Sequence, residues 1–236
     1  MEILNKMFDK LKKKFARKIN NIDSTPSRDF VPFNARLGSH ITISSNTSII
    51  YDSLCIKPDN VETITAIGTF HMGQSKVFRL YFRDDMFIQV ITDEKNDIEE
   101  CRLLYEYETV MPSTSRGWGK WIANHEGKIG QFNFTLADRD FIRMESWADP
   151  DEDWVRPISV QEKITSLSHN RDQKIITSYK QNDMMGYGRW LNEDHKIAEY
   201  LIISSEEITN AAHETIENKV SICVGIDISM NEIEII

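Results

Sequence analysis

Hydrophobic and polar residues alternate with a period of two along much of the chain after residue 37, as is typical of β-strands. The clearest example is residues 76–92, KVFRLYFRDDMFIQVIT, where apolar side chains alternate with arginines and a tyrosine and Asp84-Asp85 permits a reversal. This segment predicts a β-hairpin. Its apolar positions and two near the C-terminus form the predicted core: Phe78, Leu80, Phe82, Ile88, Val90, Ile222 and Val224.

Shorter segments of the same kind predict further strands, and two segments predict helices. A capping box at Ser204 and Glu207, followed by apolar residues at helical spacing, predicts a helix over 204–216. Residues 118–123 predict a short aromatic turn or helix. We therefore expect an α+β fold, mainly antiparallel β, with sandwich or barrel-like sheets and a few peripheral helices. The further strands are predicted over 61–70, 141–147, 174–179, 187–191, 199–203 and 220–228, the last pairing with 232–236.

The first twenty residues, MEILNKMFDKLKKKFARKIN, follow a helical period instead. They predict an amphipathic helix over 1–20, followed by a linker over 21–36 rich in turn-forming residues and a β-rich domain over 37–236. The residues predicted to contact a membrane or a partner are the apolar stripe, Leu4, Phe8, Leu11 and Phe15, and the basic residues Lys10, Lys13 and Arg17.

Charge is unevenly distributed between this segment and the remainder. Residues 1–20 carry seven Lys and Arg residues and two acidic ones, a net charge of +5, which leaves −14 for the rest of a chain whose formal net charge is −9. Three interpretations are open: the helix lies on an anionic membrane surface, binds a partner protein, or packs on its own body. The lysine-rich face favours the membrane.

Composition narrows the cellular setting. An acidic body with a sequence pI of about 5.2 argues against nucleic-acid binding, which needs clustered basic residues. No apolar run approaches the length of a membrane-spanning helix, and no secretory signal follows the basic start. The three cysteines are widely spaced and odd in number. We expect a cytoplasmic protein, peripheral to the inner membrane.

The sequence carries no recognisable catalytic or cofactor motif. The six histidines have no metal-ligand spacing, and the acidic run at 149–153 lacks the glycine and the glutamate of a calcium loop. The glycine-containing stretches do not match nucleotide-binding loops. We expect no metal, no cofactor and no catalytic residues.

Arginines beside aromatic residues recur on the predicted strands, at Arg79, Arg143 and Arg189. If they converge, their guanidinium groups and the neighbouring rings form a surface for an anionic ligand. The alternative is that each arginine pairs with a carboxylate on a sheet face. The pattern does not decide between these two interpretations.

Several segments resemble the YjfK-like family of uncharacterised bacterial proteins: RLYFRDDMFIQV, FIRMESW, MMGYGRWL, EYLIISSEE and ICVGIDI. The resemblance covers residues 34–236 and implies no reaction and no catalytic residues. It does imply a context, because such proteins are typically encoded beside a homologue of phage-shock protein A, beside small membrane proteins and beside a glutathionylspermidine-synthase-like enzyme.

Two functions follow as hypotheses. The first is a non-enzymatic accessory protein at the inner membrane, whose partner is a phage-shock-protein-A-like protein or another membrane-associated protein of envelope stress or membrane remodelling. The second is a β-rich domain that binds or processes an anionic small molecule related to polyamine–glutathione metabolism. A deep pocket on which the three arginines converge would favour the second hypothesis.

Overall fold

Eight antiparallel strands close into a barrel in the computed structural model of the chain. The predicted helix over 1–20 and the linker up to residue 29 lie outside the residues that the structure describes. Those residues are 30–44, 53–56, 58, 61–83, 85–147, 151–168, 174–192 and 197–236. The strands are β1 (His40–Ile43), β2 (Glu62–Thr63), β3 (Ala66–Met72), β4 (Ser75–Arg83), β5 (Met86–Thr92), β6 (Ile98–Val110), β7 (Asn133–Leu136), β8 (Arg139–Arg143), β9 (Ile158–Leu167), β10 (Ile175–Trp190), β11 (Ala198–Asn210), β12 (Thr215–Asp227) and β13 (Ile233–Ile235).

The barrel consists of two four-stranded meanders. Strands β3 to β6 form the first and β9 to β12 the second, with neighbours in sequence paired throughout. Two non-local seams close the ring: β3 pairs with β9, with Ala66 opposite Ser166, and β6 pairs with β12, with Leu104 opposite Gly225. Turns between β4 and β5, β9 and β10, and β11 and β12 lie at one end, which we call the hairpin end. The opposite end has the β3–β4 turn at Gly73.

Smaller elements cover the outside of the barrel. Strands β13, β1 and β2 form a three-stranded sheet, and the β7–β8 hairpin joins the barrel through a short β8–β10 pairing. Helix α1 (Ser115–Ile122) begins where the Thr114 hydroxyl accepts a hydrogen bond from the Gly117 amide.

Apolar side chains are buried on both sides of the barrel wall. One cluster receives a residue from every barrel strand and therefore fills the interior; among its members are Val77, Leu104 and Met184. Outside, Phe78, Leu80 and Ile88 pack beneath residues 30–35 and the three-stranded sheet, while Tyr187, Leu201 and Ile222 pack beneath α1 and the β7–β8 hairpin. All seven predicted core residues are buried, which confirms that prediction.

The mainly antiparallel β fold, the 76–92 hairpin and the helix near 118–123 are confirmed, but three local predictions are wrong. The predicted helix over 204–216 is the end of β11, a turn and the start of β12, because Ser204, Glu206 and Ile208 alternate along a strand. The strands predicted over 174–179 and 187–191 are one continuous strand, β10. Strand β13 pairs with β1, not with β12.

Candidate functional site

Five side chains form a polar network across the barrel interior toward the hairpin end; we call Arg79, Tyr81, Glu162, Lys180 and Glu206 the charged layer. Arg79 Nη1 lies 3.0 Å from Glu162 Oε2, and the Tyr81 hydroxyl donates to Glu162 Oε1 at 2.8 Å. Lys180 Nζ donates to the Tyr81 hydroxyl at 3.1 Å. Because β4 and β10 are not neighbours in the barrel, this last contact crosses the interior.

Glu206 supplies the second carboxylate of the layer. Its Oε1 lies 3.5 Å from Lys180 Nζ and accepts a hydrogen bond from the Ser204 hydroxyl at 2.8 Å. Nearer the solvent, Lys219 Nζ donates to the carboxylate of Glu106 at 3.0 Å and 3.2 Å. Two cations and two anions inside, with a matched pair at the rim, leave this part of the barrel electrically balanced.

The backbone of β3 makes room for the layer at Gly68. A Cβ atom at this position would lie 1.8 Å from Glu162 Oε1, so any side chain here would displace the carboxylate. Gly68 is also the cross-strand partner of Arg79. Glycine in a strand interior commonly marks such a close approach.

Two members of the charged layer, Glu206 and Lys180, are held in their ionised states. Burial alone would raise the pKa of Glu206, but Lys180, Lys219 and the Ser204 hydroxyl lower it below its ordinary value. Burial opposes the charge on Lys180 as well, yet Glu162 and Glu206 hold its pKa well above the usual range. A general acid or base works best with a pKa near the operating pH, and these shifts move both groups away from neutrality.

A cavity of about 240 Å³ opens onto the layer from the hairpin end. Arg79, Lys180 and Lys219 line it together with Asp85, Glu106 and Glu206, so cations and carboxylates face it in equal number. Within the described ranges, no three of the His, Cys, Asp and Glu side chains are grouped to hold a metal ion. Geometry and charge identify the layer primarily as a structural ionic network.

The structure does not bring the three predicted ligand-binding arginines together at one site. Arg79 is inside the barrel. Arg143 Nη1 donates to the Gly130 carbonyl at 2.8 Å, and its Nη2 donates to the Glu152 carbonyl. Arg189 Nε donates to Glu199 Oε2 at 2.7 Å, and the register puts Arg143 and Arg189 close together on one face of β8 and β10. Arg79 contacts Met184, which points to the other face of β10.

Glu199 is a central residue that the sequence analysis missed. It is fully buried, and besides Arg189 its Oε1 accepts hydrogen bonds from the Ser53 hydroxyl at 2.6 Å and the Leu54 amide at 2.5 Å. This carboxylate therefore fixes the chain around Ser53 and Leu54 to the outside of the barrel. The pairing of Arg189 with Glu199 agrees with the structural interpretation of the recurring arginines.

Two cavities lie at the end of the barrel opposite the hairpin end and share the lining residue Met144; we call them together the opposite-end cleft. The cavities measure about 420 Å³ and 550 Å³. Trp147 separates the cleft from the barrel interior. Its ring packs so closely on Gly186 that a Cβ atom added to this glycine would lie 2.6 Å from the nearest ring atom. The first cavity is largely apolar, with walls from Ile142, Gly188, Trp190, Ala198 and Tyr200.

The cysteines have the character of small buried apolar residues. Cys101 and Cys223 are buried, Cys55 is half-buried, and all three are free thiols. Burial raises the pKa of the Cys101 and Cys223 thiols to about 12, with further contributions from nearby carboxylates. Neither thiol is ionised at neutral pH, so neither has the reactivity of a catalytic cysteine.

Comparison with known proteins supports the resemblance to the YjfK-like family. The family described as "Protein of unknown function (DUF2491)" matches residues 7–234. The chain belongs to this family. The uncharacterized protein YjfK of Escherichia coli (strain K12) is 25% identical over 228 residues, covering 94% of the chain and 98% of YjfK. No solved structure matches the DUF2491 chain. Across its described residues, no helix has the length and apolar character needed to span a membrane.

Proposed function

We propose that this DUF2491 protein is a non-enzymatic accessory protein that acts at the cytoplasmic surface of an anionic membrane together with a membrane-associated partner. The observation that carries the proposal is the segregation of charge: residues 1–20 hold +5 and the remainder −14. An acidic body is repelled by anionic lipid, whereas a basic amphipathic segment is attracted by about 1 kcal/mol for each nearby Lys or Arg. The first twenty residues would therefore orient the protein on the membrane.

The geometry of the barrel supports a non-enzymatic role. Arg79 pairs with Glu162 and Lys180 with Glu206, and the pKa shifts of Lys180 and Glu206 keep both charged at neutral pH. Side chains that neutralise one another in this way serve the internal arrangement of the barrel rather than turnover.

The proposed partner is a phage-shock-protein-A-like protein or another membrane-associated protein of envelope stress or membrane remodelling. This part rests on the gene neighbourhood that the YjfK-like resemblance implies, together with the proposed membrane location. An affinity pull-down of the native protein from membrane and soluble fractions tests it. We expect a membrane-associated protein to be recovered, and recovery of soluble metabolic enzymes alone would overturn the assignment.

A second candidate function is the binding or processing of an anionic small molecule related to polyamine–glutathione metabolism. The observation that favours it is the 420 Å³ cavity, whose lining includes Arg139 and Arg189. Calorimetric titration with glutathione and glutathionylspermidine tests this function. A dissociation constant that rises at least tenfold in Arg139→Ala would support it, while identical heats with and without protein would exclude it for those ligands.

Vesicle co-sedimentation of the full-length protein tests the membrane proposal. Binding should require anionic lipid and weaken from low to physiological salt, because screening shortens the reach of the basic residues. Replacing Lys10, Lys13 and Arg17 by Gln should weaken binding by up to about 3 kcal/mol. Phe8→Ala with Phe15→Ala should weaken binding even at low salt, since the apolar contribution is lost.

The matched control replaces three basic residues of the body, Lys95, Lys128 and Lys174, by Gln, which changes net charge equally without touching residues 1–20. It should leave vesicle binding unchanged. Equal sedimentation of the wild type and both N-terminal variants at every lipid charge and salt concentration would disprove the membrane proposal.

A further inference from the structure

The opposite-end cleft has the shape and lining of a docking site for apolar side chains. Gly188 forms part of its floor, and a Cβ there would be in ordinary van der Waals contact with the Glu199 carbonyl oxygen at 3.7 Å and Met144 Cγ at 3.8 Å, so the position tolerates a small side chain. Trp190 and Tyr200 supply aromatic walls and Ile142 and Ala198 aliphatic ones. Ile142 is 39% exposed although it is a large hydrophobic residue, because it faces this cleft.

Charged side chains line the rim of the cleft. Asp138 and Asp140 stand beside the first cavity on the tight β7–β8 turn, where Ala137 and Asp138 have positive φ values of 49° and 59°. Glu100 lines the second cavity beside Arg102, whose guanidinium is also bound by Asp227 at 3.1 Å. Arg189 is paired with Glu199 and Arg102 with Glu100, so the remaining charged residues of the rim are two carboxylates, Asp138 and Asp140, and one guanidinium, Arg139. The cleft is thus apolar inside and negative at its edge.

We infer that the opposite-end cleft is the resting site of residues 1–20 of the same chain, which leave it when they bind a membrane. An apolar stripe flanked by lysines is complementary to an apolar cleft flanked by carboxylates, and a segment of +5 is attracted to a body of −14. The inference rests on the proposed function, because the same stripe would serve the barrel and the membrane in turn.

The chain enters the described structure close enough for this contact. The Phe30 ring packs edge-on against Phe78 at 5.8 Å between centroids, and Phe30 shares a cavity with Thr69 and Lys76. Lys76 is three residues from Gly73, which lines the cleft, or about 10 Å along a strand. Residues 21–29 span up to about 30 Å when extended, so residues 1–20 can reach either cavity.

The docked segment makes membrane binding conditional. The apparent affinity for vesicles is reduced by the fraction of molecules in which the segment is released. If release is about tenfold unfavourable, a variant that cannot dock should bind anionic vesicles about tenfold more tightly than the wild type. A partner or a lipid surface that competes for the stripe would then also uncover the cleft.

Limited trypsin digestion of the full-length protein, without vesicles, tests the docking. Cleavage after Lys10, Lys13 and Arg17 is followed by mass spectrometry in the wild type, in Ile142→Lys and in the control Ile176→Lys, an exposed isoleucine of β10 toward the hairpin end. We expect at least tenfold faster cleavage in Ile142→Lys and wild-type rates in the control. Asp138→Asn against Glu214→Asn, both exposed acids, repeats the comparison if Ile142→Lys does not fold.

Two other outcomes of the digestion would overturn the inference. Equally fast cleavage in all variants means that the segment does not rest on the cleft. Protection that disappears on tenfold dilution assigns the cleft to a second copy of the chain. Failure of the membrane proposal is separate: if trypsin rates differ as expected while no variant binds vesicles, docking stands and the membrane function falls.

Discussion

The two faces of β4 are both turned away from solvent, yet they differ in kind. From Phe78 to Phe82 the outward face is apolar, while the inward face has Val77 at one end and polar side chains toward the hairpin end. Phe78, Leu80 and Phe82 point outward and are covered by residues 30–35 and the small sheet, while Arg79 and Tyr81 point inward. The more continuous apolar packing of this strand therefore lies outside the barrel. A barrel strand can be polar toward its own lumen when an outer layer supplies the hydrophobic burial.

The two faces should differ in how they respond to change. Apolar packing is non-directional, and its loss scales with the area and cavity left behind. A buried ionic network depends on every partner, because removing one charge leaves another unpaired in a low-dielectric interior. The outward face should lose stability in proportion to the atoms removed, and the inward face should lose it in one large step.

The largest expected effect is at Glu162. Glu162→Gln keeps the volume but leaves Arg79 and Lys180 with one carboxylate between them, and it should lower the free energy of unfolding by about 3–5 kcal/mol. Replacing Arg79 and Lys180 by Met and Glu162 and Glu206 by Leu should recover most of that loss, because no buried charge remains unpaired. Urea unfolding measures both. If the variant with all four replacements is as unstable as Glu162→Gln, the network is net stabilising.

Phe78→Ala probes the outward face and should cost about 2–5 kcal/mol through lost transfer energy and a cavity. The side chain is fully buried in the outer cluster. Met111→Ala, at a residue that is 64% exposed, is the control and should change stability by no more than about 0.5 kcal/mol. An unchanged unfolding midpoint for Phe78→Ala would mean that the outer layer does not cover β4 in solution.

Gly68→Ala should cost about 1–3 kcal/mol, since the new methyl group overlaps the Glu162 carboxylate and the layer must shift. Gly119→Ala is the matched control: it lies in α1 with no heavy atom within 4 Å of the added Cβ, and it should stabilise the protein by up to about 1 kcal/mol. Thermal unfolding compares the two. Opposite signs are the expected result, and a neutral Gly68→Ala would place Glu162 elsewhere.

Alkaline pH should weaken the fold gradually. The pKa of Cys101 and Cys223 is raised from 9.0 to about 12, so their contribution is complete below pH 9 and is lost as pH rises toward 12. Each thiol should remove about 1.4 kcal/mol per pH unit within that window. Urea midpoints from pH 8 to 11 measure the slope, which Cys101→Ala with Cys223→Ala should make shallower. Glu206, whose pKa is lowered, acts oppositely and withdraws stability only under acidic conditions.

Sequence patterning predicts strands well where one face is apolar and fails where the lumen-facing residues are charged. The 76–92 hairpin is evident because its outward residues are large and hydrophobic. Around Ser204 and Glu206 the inward residues are polar and the outward run ends at Ile203, so the alternation is hidden and local capping chemistry suggests a helix. Lys180 and Asn182 conceal the middle of β10 for the same reason.

The candidate site could be predicted only in part. The recurrence of arginines on strands is visible in the sequence, and pairing with carboxylates is one of its two interpretations. The partners cannot be identified from the sequence, because Arg79 meets Glu162 across the β3–β9 seam and Arg189 meets Glu199 on the adjacent strand. The sequence indicates a lumen-facing carboxylate only by a charged residue at a strand position where the alternation calls for an inward side chain, as at Glu162 and Glu206.

The division of the barrel into two meanders has a consequence for how the chain folds. Each meander has only local pairings, which form early, whereas the two seams join residues as far apart as Arg102 and Asp227 and close late. Until they close, Arg79 lies on the first half without Glu162, while the second half has two carboxylates, Glu162 and Glu206, for the single cation Lys180. We expect the rate-limiting event to be the docking of two preformed halves. An incomplete barrel should be unstable because its lumen-facing charges lack partners from the other half.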